Sequence, residues 1–383
     1  MSEKRHIVQW LGGMLMLLLM VGCSSSSDDE PLQHQGEAVL KFDLIAPNAP
    51  SVTRSEKGNV DVSFEENVIN TLDVWAFDNH AGEFISYLHL NNFSFENDGK
   101  RTVSMKLSDT FNNYSGLQVD FYVAANVTAS NCGLTLNQHT TAQELRDACI
   151  GTVHFGTSSP VTSVPYDGLP MSGVLKGMTV TGSAPIFSVA GSVKLVRAVS
   201  KMRFIFSQSI SNPPEISNLS ISLNTGVLPD EESLFLSDAY PTAKSNPGNS
   251  YNTAEVSLLS GVSGTEIKSY SDPASYGYQP QETGQEYETK INNGLAAGHL
   301  SELGRFYLRE SDKKVEGTIS YTIGTGEQAQ QKTANFSADA GDFTRNHTWI
   351  IYGYFLGSGN LMLNVVSIKD WKLESEIDKF YNW

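Results

Sequence analysis

Glu37-Ala38-Val39-Leu40-Lys41-Phe42-Asp43-Leu44-Ile45-Ala46 is the stretch from which the fold class follows. Ala38, Leu40, Phe42, Leu44 and Ala46 fall on one face of an extended chain, while Glu37, Lys41 and Asp43 fall on the other. Side chains alternate across a strand, so a period of two with one apolar face predicts a strand lying half in a core. The alternation recurs at 72–77, 84–90, 102–107 and 117–125, each run bounded by clusters of Gly, Asn, Pro and Ser. Short alternating runs between turn residues are the signature of antiparallel β-structure. A second set follows at 194–206, 216–223, 305–308, 315–323, 332–336, 348–355 and 361–371.

Between the two sets a Gly- and Ser-flanked region at 183–192 suggests a boundary. The chain is therefore read as mainly β, with two β-sandwich-like domains in tandem over 37–188 and 189–383 and few short helices. The clearest helix is 141–150, where Thr140 or Thr141 can cap and Glu144 sits in the first turn. Residues 229–298 are rich in Ser, Asn, Pro, Gly, Tyr and Gln and read as long surface loops with a local helix near 292–297. Asp230-Glu231-Glu232 and Glu65-Glu66 read as solvated loop charge.

Ahead of the strands, Lys4, Arg5 and His6 precede an apolar run from Leu11 to Val21 that stops at Gly22-Cys23. That run is short for a membrane span and has the layout of a signal peptide, 1–22. Met20-Val21-Gly22-Cys23 resembles a bacterial lipobox, which makes Cys23 the first mature residue and the lipid carrier. Residues 23–36 then form a tether, since Ser24 to Ser27 cannot pack a core. Asp28, Asp29 and Glu30 resemble the signal that sends lipoproteins of Bacteroidetes to the outer face of the outer membrane.

A net charge of −16 argues against a nucleic-acid partner, because a phosphate-binding surface needs the opposite sign. Beyond Cys23 only Cys132 and Cys149 remain, which either form one bridge or stay as two buried thiols. No Gly-x-Ser-x-Gly elbow, zinc-ligand spacing, phosphate loop or dinucleotide fingerprint occurs, so neither a metal nor a cofactor is expected. A pair of catalytic carboxylates needs no local motif, yet nothing singles one out among 42 acidic residues, and the chain reads as a non-enzyme.

The last thirteen residues largely alternate, with Trp371, Leu373, Ile377, Tyr381 and Trp383 on one face and Phe380 out of phase. Apolar anchors at this density predict a strand that needs somewhere to be buried. At the other end, the strand 37–46 is followed by a loop, 47–58, containing Pro47, Pro50, Arg54 and Ser55. Arg54 is the only arginine between Cys23 and Arg101, which makes Arg54-Ser55 a candidate cleavage point for an arginine-specific protease.

Several segments, in order and covering most of the mature chain, resemble the major fimbrillins of Bacteroidales, the type V pilins. They are Val123-Ala124-Ala125-Asn126, Leu169-Pro170-Met171-Ser172, Arg197-Ala198-Val199-Ser200-Lys201-Met202, Arg345-Asn346-His347-Thr348-Trp349, Asp370-Trp371 and Asn382-Trp383. The resemblance implies transthyretin-like antiparallel sheets and a subunit that reaches the surface as a lipoprotein. It implies cleavage after Arg54 by an arginine-specific surface protease, departure of the strand bearing Ala38, Leu40, Phe42, Leu44 and Ala46, and capture of a neighbour's C-terminal strand in the opened groove. Residues 371–383 would be the donor, and the partners would be other copies of the chain and other fimbrial subunits. A tip or anchor subunit and a glycan-binding surface lipoprotein are the alternative readings.

Overall fold

The computed structural model describes residues 38–47, 65–96, 99–107, 114–150, 161–236, 250–368 and 381–382. Alternation becomes strand where it was expected: β1 (Val39–Ile45), β2 (Ile69–Asp78), β3 (Phe84–Phe93), β4 (Lys100–Lys106) and β5 (Gln118–Ala125). The helical stretch is shorter than 141–150. After α1 (Ala129–Cys132), α2 spans only Ala142–Asp147, and Cys149–Ile150 run extended as β6. A capping box fixes the start of α2, the Glu144 amide donating to Thr141 Oγ1 at 3.2 Å and the Thr141 amide to Glu144 Oε2 at 2.7 Å. It stops early because Ile150, fully buried, pairs with Glu232 in an extended ladder.

β7 (Met171–Ser183), β8 (Ile186–Lys194) and β9 (Val196–Arg197) complete the first half, in the order β3-β2-β5-β7-β8-β1-β4 with β9 on β7. The boundary expected at 188/189 falls inside β8. β7 is long enough to serve two layers: its first part pairs with β5, and Val180 to Ser183 pair with β8. The changeover lies between Thr179, paired with Gln118, and Val180, paired with Val189; just before it the register with β5 shifts at Gly177, whose φ of 66° puts it in the left-handed region and whose amide donates to Asp120 Oδ1 at 2.8 Å. The two layers face each other across a core drawn from β1, β2, β4, β5 and β8.

The second half contains β10 (Ser200–Ser209), β11 (Ile216–Leu223), β12 (Glu232–Ser233), β13 (Val256–Val262), β14 (Ser269–Tyr270), β15 (Ser301–Leu308), β16 (Val315–Ile323), β17 (Gln330–Ala338), β18 (Thr348–Phe355), β19 (Leu361–Ile368) and β20 (Tyr381–Asn382). One sheet runs β14-β10-β18-β19-β20 with β15 also on β10, the other β13-β11-β16-β17, and Phe204, Phe306, Phe336, Trp349 and Phe355 fill the space between them. Most pairings are antiparallel, but β1 with β8, β10 with β18 and β10 with β14 are parallel. A parallel pair cannot be closed by a hairpin and therefore joins segments far apart in sequence, which local alternation does not reveal.

Within 229–298 the described residues, 229–236 and 250–298, form more regular structure than the loops expected. They contain β13 and a helix, α3 (Gly284–Ala296), longer than the one anticipated at 292–297. Tyr287 and Ile291, one turn apart on α3, pack on Ile205, Ile350, Tyr352, Val366 and Ile368 from the outer face of the β10-β18-β19 sheet. Leu234 and Phe235 reach into the first half, joining Trp75, Tyr122, Leu145 and Ile150.

Candidate functional site

β1 is an interior strand. It pairs antiparallel with β4 in unbroken register from Val39↔Lys106 to Ile45↔Lys100, and parallel with β8 from Val39↔Ile186 to Ile45↔Lys194. The register with β8 shifts between Lys41 and Asp43, the extra residues lying on β8, so β1 itself stays regular. Hydrogen bonds close both ends: the Val39 amide donates to Pro185 O at 2.9 Å, Leu107 to Ala38 O at 2.9 Å, Ala46 to Gly99 O at 2.8 Å and Leu195 to Ile45 O at 2.9 Å.

Burial follows the alternation. Leu40, Phe42, Leu44 and Ala46 are exposed by 0%, 2%, 0% and 1%, and Ala38 packs half-buried at the rim. The Phe42 ring lies 4.6 Å from that of Phe121 on the facing layer. On the outer side Asp43 is exposed and accepts a hydrogen bond from Thr102 Oγ1 at 2.7 Å. No tight turn joins β1 to either neighbour, since β4 and β8 come much later in the chain. The chain leaves β1 toward residue 65, so a break in between leaves it held by non-covalent contacts alone. Without β1, the edges of β4 and β8 would face each other about 10 Å apart, the width of one missing strand.

Cys23, Arg54 and Ser55 lie outside the described residues. So do Trp371, Leu373, Ile377, Trp383 and the side chain of Tyr381. The backbone of Tyr381–Asn382 pairs antiparallel with Val365 and Asn364 of β19. Cys132 and Cys149 are two thiols with no bond between them. Burial pushes the Cys132 thiol up to about 12, and the Cys149 thiol donates to Asp147 O at 3.3 Å.

Glu66 and Glu232 are not the solvated loop charge expected: they are 2% and 0% exposed and belong to two buried charge clusters. Glu66 accepts from Lys201 Nζ at 2.9 and 3.1 Å and from Tyr307 Oη at 2.7 Å, while Arg197 Nε donates to Glu66 O at 3.0 Å and Arg197 Nη1 to Asn346 Oδ1 at 2.9 Å. Burial alone would raise the Glu66 carboxyl, but Lys201 and Arg197, with the Tyr307 hydroxyl, hold it below its usual value. In the second cluster Arg345 Nε donates to Glu310 Oε1 at 2.8 Å and Nη1 to Leu234 O at 3.0 Å, and the Glu310 amide donates to Glu232 Oε2 at 3.0 Å. Burial pushes the Glu232 carboxyl up to about 8, with Glu310 adding to the rise and Arg345 and Arg309 opposing it. The sequence hints at either cluster only through the charged residues inside the motifs Arg197 to Met202 and Arg345 to Trp349, whose partners are remote in the chain: Glu66 is 135 residues from Lys201, and Glu310 and Leu234 are 35 and 111 from Arg345. The first cluster joins the two halves of the molecule through Glu66 and Lys201; Arg345, Glu310 and Glu232 all lie in the second half, which the pairing of Glu232 with Ile150 ties to the first.

No family profile and no curated sequence matches the chain. Solved structures do. The chain matches a candidate cell adhesion protein from Parabacteroides distasonis with TM-score 0.52 and 15% identity, over 89% of this chain and 99% of that one. It matches another from Bacteroides eggerthii with TM-score 0.50 and 14% identity, over 87% and 96%. The tip fimbrial protein Mfa3 from Porphyromonas gingivalis, truncated at its C-terminus, is also among the neighbours, at TM-score 0.46 and 14% identity over 88% and 100%. The chain shares the mainly-β fold of the two cell adhesion candidates.

Proposed function

We propose that the chain is a structural subunit of a surface fimbrium, delivered as a lipoprotein through Cys23 and assembled by β-strand exchange. An arginine-specific surface protease cuts after Arg54, β1 leaves, and the slot between β4 and β8 takes a strand from a neighbouring subunit, while residues 371–383 serve as a donor toward another. Adhesion or biofilm formation follows from the assembled fibre.

One observation carries this reading: β1 is bonded on both edges and buried along one face, yet it is tied to neither neighbour by a turn. Burying Leu40, Phe42 and Leu44 contributes about 5–9 kcal/mol before ordering costs. A nicked β1 therefore stays in place until a strand of comparable fit displaces it. That behaviour keeps a surface precursor soluble until a partner arrives.

The test treats residues 24–383 with an arginine-specific protease, reads the new N-terminus and looks for ladders that survive SDS without heat. Ladders are expected from the parent mixed with its assembly partners, and none from Arg54→Ala. A chain ending at Asp370 should be incorporated only once per fibre. Cleavage after Arg54 with no polymer under any pairing of subunits would remove the proposal.

A further inference from the structure

The slot imposes a pattern on whatever fills it, and this chain's own tail does not carry that pattern. The three central inward positions, those of Leu40, Phe42 and Leu44, are exposed by no more than 2%, and the unbroken register with β4 prevents the phase from slipping. A strand occupying the slot must present large apolar side chains at three consecutive alternate positions, flanked by the sites of Ala38 and Ala46.

In the tail the in-phase residues are Trp371, Leu373, Ser375, Ile377, Lys379, Tyr381 and Trp383. Laid over the five positions from Trp371, they put Ser375 where Phe42 stacks on Phe121. From Leu373, Ser375 and Lys379 take the positions of Leu40 and Leu44. From Ser375, Lys379 falls at the centre. Reversing the strand changes nothing, because the three central positions map onto themselves. A one-residue bulge after Ile377 that brings Phe380 into phase puts either Ser375 or Asn382 among the three central positions, and the opposite phase offers Lys372, Glu374, Glu376 and Asp378. Each of these alignments thus buries an ammonium, a carboxylate, a carboxamide or a hydroxyl in a core of apolar side chains, or leaves a void where Phe42 was.

We infer that the slot is built for the donor strand of a different subunit, and that this chain joins a heteromeric assembly and does not extend on copies of itself. This rests on the strand-exchange reading of the same slot. The occupant it fits is a segment with small residues at both ends and three large apolar residues at alternate positions between them.

The test uses the full ectodomain cut between residues 47 and 65, with a fluorescent peptide of residues 37–47 in the slot. Three unlabelled competitors are compared: peptide 37–47, the native tail 369–383, and the tail carrying Ser375→Phe and Lys379→Leu. Peptide 37–47 and the doubly substituted tail should displace the label at similar concentrations. The native tail should need at least about 100-fold more, the penalty expected for losing one buried aromatic ring. A native tail within tenfold of peptide 37–47 would overturn the inference and leave strand exchange standing. A slot that neither releases nor rebinds 37–47 would overturn strand exchange, and this inference with it.

Discussion

Replacing Phe42 by Ala removes the side chain at the middle of β1, where the slot is closed on all sides. Phe42 is 2% exposed and its ring lies 4.6 Å from Phe121, so its loss combines transfer, packing and a residual cavity. Such truncations cost about 3–5 kcal/mol. In the intact chain this should appear as a drop of that size in the urea unfolding free energy of the first half. In the nicked chain it should appear as weaker retention of β1, by about two to three orders of magnitude, read from release of a labelled β1 peptide. Asp43→Ala is the control. Asp43 is on the same strand but exposed, and its change should stay within about 0.5 kcal/mol. If Phe42→Ala lowered stability by less than about 1 kcal/mol, or if both nicked variants released β1 at one rate, the inward face of β1 would not be what holds it.

Glu232→Gln tests the buried carboxyl near Arg345. A carboxyl raised to about 8 in the folded chain, against 4.5 ordinarily, adds a destabilising term that is absent below about pH 4.5 and complete above about pH 8. The variant should therefore gain on the parent as urea unfolding is repeated from pH 5 to pH 8; a constant difference would refute the assignment. Glu66→Gln leaves Lys201 buried beside Arg197 and should cost about 3–5 kcal/mol in the same assay, whereas a loss under 1 kcal/mol would mean the pair is not closed in solution. Gly173→Ala would place its new methyl 2.6 Å from Lys194 O and should cost about 1–3 kcal/mol in thermal or urea unfolding. In an ectodomain lacking Cys23, a thiol reagent at pH 8 should label Cys149 first and reach buried Cys132 only on unfolding; equal rates would contradict the burial of Cys132.

The strands that could be read in advance are those with one face in a core and the other in water. β1 alternates without interruption from Ala38 to Ala46, so its faces could be assigned residue by residue, and the burial agrees. β10 is different: Ser200 to Gln208 are buried on both faces, covered by the facing sheet on one side and by α3 on the other, so alternation marks its position but not its surroundings. Of α3 only the end near 292–297 is legible in the sequence, because its buried anchors, Tyr287 and Ile291, are too few to mark a helical face over the preceding turns. The burial of Glu66 and Glu232 is illegible in the sequence for a stronger reason. A carboxylate is solvated by default, and only the approach of Lys201, Arg197 or Arg345 from far along the chain reverses that default.

The two charge clusters also bear on how a strand could be exchanged without loosening the rest of the molecule. Among the described residues β1 pairs with β4 and β8 alone, and its inward side chains pack within the first core, whereas Glu66 with Lys201 and Glu232 with Ile150 lie outside that core and join the halves. The 229–235 segment adds Leu234 and Phe235 to the outer face of β2 and β5, the layer that β1 does not touch by backbone pairing. Emptying the slot would thus cost the first core one strand and leave every junction contact in place. If the junction instead depended on β1, a nicked chain stripped of its peptide should lose the buried Glu66–Lys201 pair as well. Stability measured after stripping separates the cases: Glu66→Gln should remain as costly in the stripped chain as in the intact one, and an effect that vanished with β1 would show that slot and junction are a single cooperative unit.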